Sequence, residues 1–188
     1  MKKPFAIIAI IFSLTLTIFR VSRCMQRLDA SQRAGAKRDY YEACQKKLDT
    51  AWIYFKPVAE ALQNNQPVSD AVLTTTTSNL YDVSHDVVQI SEYDDEGGYY
   101  KKYVTEFIEF ERGLTCCYLR KYQEEISKNK KLSKGTYANL MSWLDRFPTY
   151  STIYGEVTFN LYNRIDFSQF RDAVMAAAPQ ETGNKTTP

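Results

Sequence analysis

Apolar and aromatic residues recur at intervals of three and four along most of this chain, and that spacing commits it to amphipathic helices packed against one another. From Asp29 to Phe55 the positions Tyr41, Cys44, Leu48, Ala51, Trp52 and Phe55 line one helical face. Val58, Ala59 and Leu62 extend the stripe beyond Pro57, which predicts a kink at the proline. The run 64–67, Asn-Asn-Gln-Pro, then reads as a turn. Ser69 and Asp70 are capping residues for a second helix, where Leu73, Leu80 and Val87 form one heptad line and Thr76, Val83 and Ile90 another. The four threonines at 74–77 favour a strand by propensity, but the sustained heptads outweigh them.

The acidic and glycine-rich stretch Tyr93 to Gly98 is expected to end that helix. A third helix is predicted from Tyr99 to Ser127, with Tyr100, Tyr103, Val104, Phe107, Phe110, Leu114, Tyr118 and Tyr122 on its buried side. Ser133 or Thr136 can cap a fourth, which buries Tyr137, Leu140, Met141, Leu144 and Phe147 and is expected to break at Pro148. From Tyr150 to Val174 two periods compete. Tyr150, Tyr154, Val157, Leu161 and Ile165 fit a helix, whereas Val157, Phe159, Leu161, Ile165 and Phe167 alternate with polar residues as in a strand. No partner strand is evident, and a lone strand leaves its backbone unpaired, so 153–167 is read as helix. With only seven glycines for tight turns, the expected fold class is all-α: an antiparallel bundle of about five helices behind an N-terminal hydrophobic segment.

That segment, residues 4–19, is uncharged; Lys2 and Lys3 precede it and Arg20, Arg23 and Arg27 follow. As a helix it spans about 24 Å, short of a hydrocarbon core near 30 Å unless flanking arginines snorkel. It fits a signal peptide or a short anchor, and the nearest small-x-small triplet, Ala34 to Ala36, lies too far downstream for ordinary cleavage. Val21-Ser22-Arg23-Cys24 offers Cys24 as a lipid attachment site, with Arg23 standing where a small residue is expected. The heavier basic flank on the C-terminal side points to a cytoplasmic domain by the positive-inside rule, whereas the charged N-terminus before an apolar run has an export layout. The latter is favoured, which places the domain outside the cytoplasm, in the periplasm if the cell has one. Residues 1–24 are thus assigned as signal or membrane anchor, 29–175 as the helical domain and 176–188 as a disordered tail.

Four cysteines occur, at 24, 44, 116 and 117. Cys44 falls on the core stripe of the first helix and Cys117 at the edge of the third helix's apolar face, while Cys116 points about opposite Phe107. A Cys44–Cys117 disulfide would close a loop of roughly 70 residues and stabilise the domain by a few kcal/mol in an oxidising compartment. The alternative is that both are small buried apolar residues. Neither a Cys-x-x-Cys pair nor histidine spacing is present, which argues against zinc.

Signatures of chemistry are sparse. His85 is the only imidazole and falls on a polar helical face. There is no Gly-x-Ser-x-Gly elbow, no phosphate-binding glycine loop and no spacing for a calcium loop around Glu92 to Glu96. Glu106, Glu109 and Asp145 are the carboxylates that could meet in space for sugar hydrolysis, but nothing selects them over surface charges. The net charge of +2 gives no reason to expect a nucleic-acid partner, and the basic run Lys128 to Lys134 reads as a solvated connector. No catalytic residue, metal or cofactor is assigned. Tyr40, Tyr99 and Tyr162 lie off the stripes and are candidates for an exposed contact surface.

Two segments resemble a known family. Tyr41-Glu-Ala-Cys44-Gln-Lys-Lys47-Leu48 and Phe147-Pro148, followed after five residues by Tyr154-Gly155-Glu156-Val157, are similar to patterns in the YiiG-like family of bacterial lipoproteins. Gly155 stands where that family has asparagine. The resemblance covers under a fifth of the chain and implies a periplasm-facing helical domain, with no catalytic residue to carry over. The function expected from the sequence is a membrane-anchored, extracytoplasmic helical protein of the cell envelope that binds or scaffolds a protein partner. An envelope enzyme acting on glycan or lipid, and a cytosol-facing tethered interaction domain, are the alternatives.

Overall fold

The computed structural model describes residues 3–91, 95–153 and 165–179, with side chains described for 22–23, 25–91, 100–147 and 165–179. Within them the chain is all-α, an antiparallel bundle with no strand. The elements are α1 (Lys3–Gln63), α2 (Asp70–Val88), α3 (Asp95–Gly113), a π-helical turn (Leu114–Tyr118), α4 (Leu119–Asn129), α5 (Lys134–Ile153) and α6 (Ser168–Ala176). The π-turn joins α3 and α4 without a break, so five rods result.

The α1 stripe is buried as its spacing requires: Cys44, Leu48, Ala51, Phe55, Val58, Ala59 and Leu62 all face the core. α1 continues through Pro57 to Gln63. Pro57 removes a backbone hydrogen bond to the Ile53 carbonyl, but both residues are exposed, so water can satisfy that carbonyl. α2 returns antiparallel, capped by the Ser69 hydroxyl, which accepts the Val72 N–H. Leu73, Thr76, Leu80, Val83 and Val87 of the expected heptad lines are buried, together with Ser84, whereas Ile90 lies past the end of the helix and is half-buried. The antiparallel register is fixed at each end: Lys47 pairs with Asp86, and the Thr76 hydroxyl donates to the Tyr54 carbonyl.

α3 begins at Asp95, so the glycines at 97 and 98 lie in its first turn instead of the loop. It runs antiparallel to α2, with the Lys101 ammonium on the carbonyls of Val88 and Ile90 at one end and Arg120 on Asp70 and Thr74 at the other. Its buried face is rotated from the expected stripe. Tyr103 is 40% exposed, whereas Ile108, Glu111 and Thr115 are buried. Two surfaces of this rod are covered, one by α1 and α2 and one by α5, so a single stripe could not describe it.

α5 does not stop at Pro148 but extends to Ile153. Burial of Leu140, Trp143, Leu144 and Phe147 outweighs the local penalty of the proline. Packing continues past Ala176: Ala177 is buried and its carbonyl accepts the Leu132 N–H. The helix-or-strand segment therefore falls mainly at 154–164, outside the described residues, as does the chain after 179. No helix among the residues searched is long and apolar enough to cross a membrane, and the side chains of the uncharged stretch 4–19 lie outside the described residues.

The start of α5 is held by a carboxylate from α4. Glu125 accepts the Ser133 N–H at 2.7 Å, the Ser133 hydroxyl at 2.9 Å and the Thr136 hydroxyl at 2.8 Å. Burial raises its pKa, but the hydrogen bonds from the Ser133 backbone and from the Thr136 and Ser133 hydroxyls outweigh this and hold it below the usual glutamate range. A depressed carboxyl stabilises the fold fully above its unfolded pKa, and that contribution is lost as pH falls through the folded value. Urea midpoints of wild type and Glu125→Gln are therefore expected to differ most near pH 6 and to converge as pH falls through the depressed folded value of Glu125. A gap that stays constant with pH would show that the carboxylate does not carry the cap.

Candidate binding groove

Of the residues singled out by the sequence, most do not converge. Tyr40, expected at a contact surface, is 5% exposed: its ring packs edge-on to Tyr41, and its hydroxyl accepts the Lys101 N–H at 3.1 Å. It ties the first turns of α3 to α1, which corrects its assignment as an exposed anchor. The side chain of Tyr99, all of Tyr162 and the side chain of Cys24 lie outside the described residues. His85 is exposed.

The Cys44–Cys117 disulfide is absent. Cys44, Cys116 and Cys117 are free thiols, with Cys44 fully buried and Cys117 exposed. The cause is the rotated buried face of this rod: Val104, Phe107, Ile108, Glu111 and Leu114 face inward, and at about 100° per residue Cys117 falls well outside that face. The π-turn, with Leu119 N–H bonding Leu114 C=O, adds one residue to the rod. Leu114, Thr115 and Leu119 take the inward positions and Cys117 is turned out. Burial raises the pKa of the Cys44 thiol, partly offset by its hydrogen bond with Tyr40 and by the Lys101 charge.

The carboxylate trio does not assemble either. Glu106 and Glu109 share one wall of α3, but Asp145 turns away to pair with Arg171 of α6 at 2.7 Å. Each of the two glutamates has its own cation on α3, Lys102 at 3.8 Å and Arg112 at 2.6 Å. Among the described residues no cluster of three or more potential metal ligands occurs.

What does form is a groove of about 530 Å³ between α3 and α5. Glu106, Glu109, Phe110 and Gly113 line one side, with Tyr118 from the π-turn. Asn139, Ser142, Trp143 and Arg146 line the other, and their spacing of three, one and three places them on one face of α5. The base is aromatic and rigid. Phe110 stacks on Trp143 at 4.9 Å with 8° between planes, and the indole N–H donates to the Phe110 carbonyl at 3.0 Å. Trp143 also meets Phe55, Phe147 and Phe167, so the base of the groove is continuous with the core. The Arg146 guanidinium lies 5.6 Å from the Phe110 ring centre, a cation–π arrangement. A fixed floor beneath a rim carrying both charge signs suits recognition of a polar partner more than proton transfer. The sequence pattern missed Trp143 and the polar residues beside it, although their common face on α5 was available.

Trp143→Phe keeps a ring in place but removes the buried N–H donor, with an expected cost of about 1 kcal/mol. Trp143→Ala removes the centre of the contacts with Phe55, Phe110, Phe147 and Phe167, with an expected cost of about 3–5 kcal/mol. Denaturant midpoints of the two variants check this order, and equal costs would contradict it.

No protein-family description, no curated protein and no solved structure matches this chain.

Proposed function

We propose that the protein is a membrane-tethered, extracytoplasmic helical module of the cell envelope that works by binding or scaffolding a protein partner and not by catalysis. The observation that supports this reading is the length and continuity of α1. Its 61 residues extend about 90 Å, with the uncharged stretch 4–19 at one end and the bundle stripe at the other. Between them every described residue from Ser22 to Asp39 is exposed apart from the half-exposed Gly35, and Tyr40 is the first buried residue. This stalk would hold the bundle about 27 Å from the membrane surface. The groove between α3 and α5 is the surface best suited to the partner, since its floor is preorganised and its rim is polar.

A second reading has the bundle facing the cytosol. Two observations favour it. The stalk carries Arg23, Arg27, Arg33, Lys37 and Arg38 against Asp29 and Asp39, a positive flank of the kind retained inside. Three free thiols suit a reducing compartment.

Exposed Cys117 distinguishes the two. In intact cells a membrane-impermeant maleimide is expected to label the chain at Cys117, located by peptide mapping, with that label lost in a Cys116→Ser/Cys117→Ser variant. Labelling only after lysis would establish the cytosolic reading. The tether is checked by alkaline extraction: the full chain is expected to stay with the membrane and a chain lacking residues 1–24 to be released. Release of the intact full chain would contradict the anchor. Reversing charge in the groove, with Glu109→Lys and Arg146→Glu together, is expected to abolish capture of a specifically retained protein while leaving membrane attachment unchanged.

A further inference from the structure

The stalk carries an exposed apolar line that the bundle does not use. Met25, Ile53 and Leu28 are the three most exposed large apolar side chains among the described residues, at 69, 66 and 62%. All three lie on α1, and at about 100° per residue they share one side of it. Along the stalk the line runs Met25, Leu28, Gln32, Gly35, in steps of three and four that keep it within an arc of about 80°. It continues beside the bundle through Ala43, Lys46, Thr50, Ile53 and Pro57, all exposed or half-buried. The core stripe of Cys44 and Leu48 lies about 150° round the helix, so the bundle packs on the far side and this line stays open.

Charge is sorted along the stalk in the same way. Arg23, Arg27, Arg33, Lys37 and Arg38 all fall at least about 100° from the middle of the line. With Met25 and Gln32 as a positions of a heptad repeat, Leu28 and Gly35 are d positions, and Arg23, Arg27, Arg33 and Lys37 occupy only b, c and f. This is the layout of one strand of a coiled coil: leucine at d, a polar residue at one a position, and charges toward water. We propose that the stalk pairs in parallel with the stalk of a second copy of this chain, with Met25 to Gly35 as the seam. The pairing rests on the membrane tether proposed above. Two chains held by the same stretch, 4–19, present their stalks at equal height, so Leu28 meets Leu28 and Gln32 meets Gln32. Two glutamine amides are complementary to each other, each having donors and an acceptor. At Gly35 the backbones can approach closely, since no atom lies within 4 Å of where a Cβ would sit. A stalk that continues 4–19 as one helix stands off the bilayer, which keeps the line from lying on the lipid surface. Asp39 and Lys46 would set like charges opposite each other in a parallel pair, and this confines the seam to the stalk. With Met25 and Leu28 as its apolar contacts the seam is weak. It forms where a membrane concentrates the chains, and the dispersed chain is single.

The test uses the full chain in cell membranes, with p-benzoylphenylalanine placed one site at a time in place of Leu28 or Gly35 on the seam, or of Ala30 on the outer face. Ultraviolet irradiation is expected to yield an adduct of twice the chain mass at 28 and 35, at least about tenfold more than at 30. With the probe at 35, Met25→Glu and Leu28→Glu together are expected to cut that adduct by a similar factor, and dilution in detergent is expected to remove it. These positions stand outside the buried core, and unchanged urea midpoints check that the bundle stays folded. Equal yields at 28 and 30 in a membrane-bound chain, or adducts at 28 with a different polypeptide or with lipid, would overturn the pairing and leave the tether intact. Recovery of the chain outside the membrane fraction would overturn the tether and the pairing with it.

Discussion

The apolar line from Cys44 to Leu62 on α1 is the surface on which the rest of the bundle is built. α2, α3 and α6 all pack on this helix, and Phe55 at its middle is fully buried and reaches Trp143 of α5 through ring contact. Burial of large side chains is the dominant favourable term in a domain of this size, and here it is concentrated on one helix. The ion pairs around it, such as Lys47–Asp86 and Arg120–Asp70, are exposed and set register more than they add stability. The same helix then runs out of the core without a break. One covalently continuous rod therefore joins the packed domain to its exposed N-terminal stalk.

The π-turn between α3 and α4 has the second largest influence on the molecule. The rod buries Val104, Phe107 and Ile108 before the turn, Leu114 and Thr115 within it and Leu119 after it. Thr115 within it is buried and bonded to Thr77 of α2. On its outer side Cys117 is exposed, and Gly113 and Tyr118 at the two ends of the turn line the groove.

Much of the fold was legible because single faces are buried. The α1 and α2 stripes and the Ser69 cap follow from spacing and side-chain chemistry alone. The failures arise where a residue answers to two neighbours or to a local change of pitch. Tyr103 and Glu111 exchanged roles because α3 is covered on two sides. Pro148 was overridden by the packing of the helix that contains it. Tyr40 was read from one helix as off the stripe, but its burial depends on α3 crossing above it, which no local pattern contains. The groove was not legible for a similar reason. Its two walls come from helices separated by the whole of α4, and only their packing places Glu109 opposite Arg146.

Hydrogen exchange along α1 tests this architecture most directly. Backbone amides from 44 to 62 should exchange only through global unfolding, because the stripe they carry is covered by three other helices. Amides from 22 to 38 should be helical by spectroscopy but exchange orders of magnitude sooner, because an uncovered helix opens locally. A sharp change in protection at Tyr40 is the predicted result. Uniform protection along the whole of α1, or none between 44 and 62, would contradict a bundle built on one half of a helix whose other half stands free.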